Sequence, residues 1–309
     1  MRIHFKKIFA LLFVVGLFIG CQKENDFISP QPPTAEAGNS QSIQSPTTSF
    51  TLAGSGVSTN GPITGYLWSL VSGPNVPLIA SPGSPTTLVT NFIAGTYTFQ
   101  LMVIDNAGLT GIDTTKITVT AAPIQTLTLQ PANNTEERHL WGNSTMDQSG
   151  HATELVAGTW TSGGTIYIRG ALKFNLSTIP SSATILTAKL TLFSNPTPLN
   201  GTQTVPNEGP NNAMYIRRIT NSWNPLTTFW LSQPATTTSD QVSIPHTAQP
   251  SLDLVDVDVK NLVTSMHTSG NYGFMILLQN ETPFNMRNFC SSIHAISAKH
   301  PKIVITYQP

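Results

Sequence analysis

Between residues 166 and 193 the chain reads IYIRGALKFNLSTIPSSATILTAKLTLF, and its apolar side chains fall on alternate positions. Ile166, Ile168, Leu172, Phe174 and Leu176 share one parity, and Tyr167, Arg169, Ala171, Lys173 and Asn175 take the other, which is the period of a strand with one buried face. Pro180 and the serines around it interrupt the pattern. It resumes with Ala188, Leu190 and Leu192 inward and Lys189, Thr191 and Phe193 outward. Two strands are predicted here, and full burial of the apolar side chains of the first, at about 1.5–3 kcal/mol each, would anchor a sandwich core. The outward positions place Arg169, Lys173 and Lys189 on a common basic face. Met214–Ile219 carries Tyr215 and Arg217 at a single parity, and Arg217 joins that face if this strand neighbours the first two.

The same alternation runs through the rest of the chain. Trp68 is flanked at period two by Tyr66 and Leu70. Residues 95–119 alternate through Tyr97, Phe99, Leu101 and Val103, turn at Asp105, Asn106, Ala107 and Gly108, and alternate again to Ile117 and Val119, which predicts a hairpin. Residues 124–129 open a further strand. A helical period appears at Val259, Leu262, Val263 and Met266, with Asp258 as N-cap and Gly270 as stop. The expected fold is all-β, with two sandwiches and one short helix.

Length and charge narrow the choice. The chain has 309 residues, enough for two domains. Charged residues make up 10% of it and balance at 15 against 15, so no basic excess points to nucleic acid. At the start, Arg2, Lys6 and Lys7 precede an apolar run at residues 8–19 that is too short to span a bilayer, as in an export signal. Residues 17–21, LFIGC, resemble a bacterial lipobox, although Phe18 departs from the usual Leu. That resemblance implies cleavage before Cys21 and lipid attachment to it. Lys23, Glu24 and Asp26 resemble the acidic signals that carry such lipoproteins to the outer face of the outer membrane, and solvated linker charge explains them equally well. The organisation read from these features is a signal peptide at 1–20, a tether at 21–33, a small sandwich at 34–122 and a larger one at 123–309.

Residues 35–38 (AEAG), 65–74 (GYLWSLVSGP) and 94–120 (AGTYTFQLMVIDNAGLTGIDTTKITVT) strongly resemble the PKD family of immunoglobulin-like modules. The resemblance implies a β-sandwich that acts as a spacer or adhesion module, with Trp68 in its core. Ala53 stands where that family tends to have an acidic residue. Four later blocks, at 169–193, 221–238, 255–281 and 289–307, resemble in order the DNRLRE family, which is related to carbohydrate-binding modules for acidic polysaccharide. This implies a jelly-roll β-sandwich. Pro225 and Asn175 replace acids usual in the family, so a ligand or ion held by those acids is not carried over.

Motifs for catalysis do not occur: there is no G-x-S-x-G, no H-E-x-x-H and no C-x-x-C. Histidines 139, 151, 246, 267, 294 and 300 show no ligand spacing. Asp253, Asp256 and Asp258 read as the paired acids of a glycosidase, as ligands for a structural calcium, or as strand residues followed by a helix cap. Cys290 reads as a small buried hydrophobe. For sugar binding the chain offers flat aromatic rings and arginine forks. Trp141 and Trp160 lie in Gly- and Thr-rich surroundings that suggest exposed connections, and Trp223 and Trp230 in the family phrase suggest core. The candidate carbohydrate site is therefore Arg169, Lys173, Lys189, Tyr215, Arg217, Trp141 and Trp160. The expectation is a lipid-anchored, surface-exposed protein that binds polysaccharide without catalysis and needs no cofactor. The alternative is a structural or adhesive protein that binds other surface proteins, which would show an exposed apolar patch.

Overall fold

The computed structural model describes residues 29–132, 135–150, 153–199 and 203–309. The export signal, Cys21 and most of the tether lie outside the described residues, as does His151. The described residues form two compact units, one comprising 29–42 and 49–118 and the other 43–48 and 119–309.

Up to residue 120 the strands are β1 (Thr34–Glu36), β2 (Gln41–Gln44), β3 (Ser49–Ala53), β4 (Ser55–Val57), β5 (Ile63–Ser72), β6 (Leu78–Ile79), β7 (Thr86–Thr90), β8 (Gly95–Asp105) and β9 (Thr110–Thr120). They make sheets in the order β2-β9-β8-β5 and β3-β7-β6, with β1 paired to β4. Trp68, Tyr97, Phe99, Leu101, Val103 and Ile117 are all buried, as the alternation requires. The turn after β8 is held by Asp105. Its Oδ1 accepts the N–H groups of Ala107 and Leu109 at 3.0 and 2.9 Å, and its Oδ2 accepts the Ser58 hydroxyl and the Asn60 amide, each at 2.7 Å.

The second unit contains β10 (Gln125–Leu129), β11 (Glu137–Gly142), β12 (Asp147–Gly150), β13 (Glu154–Thr161), β14 (Thr165–Leu172), β15 (Thr184–Leu192), β16 (Asn207–Glu208), β17 (Met214–Ile219), β18 (Thr236–Ile244), β19 (Leu254–Asp258), helix α1 (Lys260–Ser269), β20 (Phe274–Leu278), β21 (Asn285–Cys290) and β22 (Lys302–Gln308). One sheet has four strands in the order β10-β22-β15-β19. The other has nine: the path β16-β21-β13-β14-β20-β17-β18, with β11 also on β14 and β12 on β11. Ala188, Leu190, Leu192, Ile303 and Ile305 of the smaller sheet share one buried cluster with Leu172, Met214, Ile216, Phe274 and Ile276 of the larger. Helix α1 adds Leu262, Val263 and Met266 to the same cluster. Its end is set by Gly270, whose φ of +112° would strain any other residue. Its start differs by one position from the sequence expectation. Val259 occupies the cap position, while Asp258 Oδ1 accepts the Lys260 N–H at 3.0 Å.

The basic face expected from residues 166–193 is divided by this topology. Strands β14 and β15 belong to different sheets, and their apolar sides meet in one core, so their outward sides point in opposite directions. Lys189 therefore does not stand beside Arg169. It lies on the four-stranded sheet and pairs with Asp258 at 2.8 Å. Alternation sets which side of a strand is buried, but not which strand lies next to it. Strand β14 also ends earlier than its pattern, at Leu172, although Phe174 and Leu176 beyond it remain buried.

Asp105 links this architecture to pH. Hydrogen bonds, with that from Asn60 the largest cause, hold its carboxyl below the ordinary value of 3.8 against the opposing effect of burial. Its stabilising contribution is therefore present above the unfolded-state value and is lost as pH falls through the lower folded-state value. Thermal unfolding followed from neutral pH into the acid range should show this loss in the wild type. In Asp105→Asn the corresponding acid dependence should be smaller and the neutral-pH midpoint lower. An identical acid limb in the two proteins would contradict the assignment.

Candidate functional site

The outward side of β14 carries Tyr167, Arg169 and Ala171. In register, Ala171 stands opposite Met275 of β20, and Met275 opposite Arg217 of β17. Leu277 and Tyr215 form the next row. Arg169, Tyr215 and Arg217 thus share one face across three adjacent strands, with the two outer strands about 10 Å apart. The floor of this face is apolar: Leu140, Ala171, Ile219, Met275 and Leu277 are buried together with Trp230, and Tyr167, Tyr215, Trp223 and Tyr272 pack partly buried around them.

Trp230 comes from the connection between β17 and β18, which local hydrogen bonds shape. Asn221 Oδ1 accepts the Ala235 N–H and Asn224 Oδ1 the Leu226 N–H, each at 2.8 Å, and the Ser232 hydroxyl accepts the Phe229 N–H at 2.9 Å. A short 3-10 turn at Trp230–Ser232 sets the indole on Tyr167, with ring centroids 5.9 Å apart and planes inclined by 10°. Gly142 permits this approach, since a Cβ there would stand 2.8 Å from the indole.

Each cation of the face lies over an aromatic ring, the arrangement favoured by the ring quadrupole. The Arg169 guanidinium sits 4.9 Å from the Trp230 ring centroid. Its Nε and Nη2 donate to the two oxygens of Glu281 at 2.8 Å each, and its Nη1 donates to Gln233 Oε1 at 2.9 Å. Arg217 lies 4.8 Å over Tyr215 and donates from Nε to Gln241 at 2.8 Å. Lys173 Nζ is 6.0 Å from the ring of Trp223, whose indole N–H donates to the Tyr272 carbonyl at 2.7 Å. Arg169 and Glu281 keep 24% and 21% of their side-chain surface exposed, so the paired groups are reachable from solvent. Among the described residues, neither Lys173 nor Arg217 has a carboxylate partner.

Of the residues selected from sequence, Arg169, Lys173, Tyr215 and Arg217 are brought together here. Trp141 and Trp160 are not, and neither lies in an exposed connection. They belong to β11 and β13, in register with Ile168 and Ile166, and so project from the opposite side of the sheet to Tyr167 and Arg169. Both are half-buried against Val156, Ile166, Ile168 and Met286, with Trp160 edge-on to Phe284 at 5.2 Å. Flanking glycine and threonine suggested loops, yet these residues pair in the ladder. The sequence reading omitted Tyr167, Gln233, Gln241 and Glu281 and assigned Trp223 and Trp230 to the core. Tyr167 shares Arg169's parity and was legible in principle, whereas Glu281 follows β20 and reaches Arg169 across 112 residues of chain.

Glu137, His139 and Cys290, whose pKa values are shifted chiefly by burial, lie in the interior instead. Burial pushes Glu137 up to about 7, and its carboxylate accepts the Ser292 N–H at 2.7 Å. Burial lowers His139 to about 4 and raises Cys290 to about 11. The three aspartates considered for calcium do not converge: Asp253 accepts the Ser194 N–H at 2.8 Å, Asp258 pairs with Lys189, and Asp256 is exposed. No group of three or more His, Cys, Asp or Glu side chains suited to a metal occurs among the described residues.

A family model described as carbohydrate-binding module family 96 matches residues 142–307, and one described as K319L-like, PKD domain matches residues 37–119. The DNRLRE resemblance is thereby carried as far as its carbohydrate-binding relatives. Among curated proteins, the chain is similar to the dyslexia-associated protein KIAA0319 homolog of Rattus norvegicus, at 34% identity over 113 residues, which are 35% of this chain and 10% of that one. It is also similar to human low-density lipoprotein receptor-related protein 11, at 34% identity over 95 residues, 31% of this chain and 19% of that one. The chain thus spans about a tenth to a fifth of the length of these relatives. A solved structure of carbohydrate-binding modules from the beta-sandwich super family aligns over 91% of this chain and 97% of that one, at 14% identity and a TM-score of 0.24, too distant to bear on a ligand.

The Arg169–Glu281 fork is testable without any ligand. A double-mutant cycle of Arg169→Ala and Glu281→Ala, read by urea unfolding, should give a coupling of about 1–2 kcal/mol, as for a partly exposed bidentate pair. A coupling near zero would mean that the fork contributes nothing in solution.

Proposed function

Because the chain belongs, over residues 142–307, to carbohydrate-binding module family 96, we propose that its C-terminal unit binds polysaccharide along the face built from Tyr167, Arg169, Lys173, Tyr215, Arg217 and Trp223. The observation that carries this reading is the set of three cation–ring pairs on an apolar floor, bordered by Gln233, Gln241 and Glu281. A sugar ring has apolar C–H faces and a rim of hydroxyls, so it is recognised by aromatic surface with a few placed polar groups. Arg169 is engaged by Glu281 and orders the face. Lys173 and Arg217 are the cations suited to the carboxylates of an acidic, uronate-containing chain.

The PKD and carbohydrate-binding modules are both non-catalytic types, and the function proposed is binding without turnover. In this reading the PKD module is a spacer, and acyl chains on Cys21 hold the protein at the outer surface of the outer membrane. Each buried methylene of such an anchor contributes about 0.8 kcal/mol, so several chains make it effectively permanent. Palmitate labelling that persists in Cys21→Ala would remove the anchor from the proposal. A second reading, adhesion to another surface protein, is favoured by Leu226, Phe229 and Leu231, which stay exposed beside Trp230.

Glycan-array binding by the Cys21→Ala protein should be positive for uronate-rich chains and should weaken with added salt. Tyr215→Ala and Lys173→Ala should each lower affinity by about 5- to 30-fold, equivalent to about 1–2 kcal/mol. A folded protein that binds no glycan, while Phe229→Ser abolishes binding to a surface protein, would replace this reading with adhesion.

A further inference from the structure

Arg287 differs from the other arginines of the C-terminal unit. It lies in the middle of β21, is 0% exposed, and stands in register with Ala157 of β13 and Asn207 of β16. Its Nη1 donates to the Pro245 carbonyl at 3.3 Å. Its Nε and Nη2 are buried and have no partner among the described residues. These are the same two nitrogens with which Arg169 grips Glu281, the edge that presents two parallel donors to a carboxylate.

Among the described residues no carboxylate answers this charge, and Asn207 Oδ1 on the register partner is itself buried without a partner. Glu154 on β13 is in register with Cys290 and, by alternation, lies on the side opposite to Arg287. There its carboxylate accepts from Asn288 Nδ2 at 2.6 Å, Asn195 Nδ2 at 3.3 Å and the Leu199 N–H at 3.0 Å. Glu208, next to Asn207, accepts the Thr204 N–H at 3.2 Å. Ala157 offers only a methyl group opposite the guanidinium, and the Phe289 ring lies 5.9 Å away. On β13, Thr159 shares the side of Ala157, and its hydroxyl is buried without a partner. Burial lowers the Arg287 pKa to about 10, which leaves it charged at neutral pH. A guanidinium charge left inside a protein with no counter-charge is strongly unfavourable.

We propose that the unpartnered Nε–Nη2 edge of Arg287 is a binding site for a small monovalent anion enclosed within the C-terminal unit. The two parallel donors fit a planar carboxylate of formate or acetate size better than a spherical halide, and the Thr159 hydroxyl supplies a further donor. The ligand of this site acts on stability.

Thermal unfolding of the full chain in increasing sodium formate, at ionic strength held constant with a bulky sulfonate, tests the proposal. The midpoint should climb with the logarithm of formate concentration once the site is occupied, by about 5–10 °C at roughly 100 times the dissociation constant, as expected for a ligand bound by the folded state alone. Chloride should need a higher concentration for the same rise. Arg287→Met should fold and show no formate dependence. If that variant fails to fold, crystals of the wild type grown in bromide provide the second measurement, with an anomalous peak expected within hydrogen-bond reach of Nε and Nη2. A wild-type midpoint insensitive to formate, or water alone at that edge in bromide-grown crystals, would overturn the proposal. Glycan binding enters neither readout, so failure here leaves the family-based reading standing.

Discussion

Strand β14 is buried on one side and partly covered on the other, and the arrangement of the C-terminal unit follows from that constraint. Along one edge it pairs with β11, and along the other it pairs first with β13 and then with β20. Leu172 on one side enters the core shared with the four-stranded sheet, while Ala171 on the other enters the cluster beneath Trp230. A strand covered on both sides carries mostly small or apolar residues at both parities. The charged residue that remains, Arg169, must then be paired, and it is held by Glu281, Gln233 and the Trp230 ring. The polar side of β14 is therefore an organised surface with fixed side chains.

Order of this kind is what recognition of a sugar requires. Long cationic side chains lose considerable entropy when they are held for a ligand, and a side chain already lying on a ring has lost part of that freedom before binding. Arg169, Arg217 and Lys173 each have such a ring, and the two arginines have amide or carboxylate partners as well. The connection carrying Trp230 is fixed by its own asparagines and serine, which makes a segment of loop a structural part of the face.

The two arginines with the greatest structural consequence show how burial sets the role of one chemical group. Arg169 uses its forked edge on Glu281 at a partly exposed site, where pairing costs little desolvation. Arg287 has the same edge in the interior, where the cost of an unanswered charge is much larger. Sequence alternation treats the two alike, since both occupy alternate positions of apolar strands.

The sequence by itself determined the all-β class, the helix with its stop at Gly270, the burial of Trp68, Leu190 and Leu192, and the resemblance to carbohydrate-binding modules. These follow from period, turn chemistry and local phrases, all of which are properties of neighbouring residues. The parity of Arg169, Tyr215 and Arg217 on their own strands was legible for the same reason. Only the tertiary structure decided which strands lie side by side, and so it separated Lys189 from the basic face, turned Trp141 and Trp160 to the opposite side, and brought Glu281 and Trp230 to Arg169. Strand neighbours are chosen by the packing of whole sheets, in which residues far apart in the chain exchange backbone hydrogen bonds, and no local pattern of hydrophobic and polar positions encodes that choice.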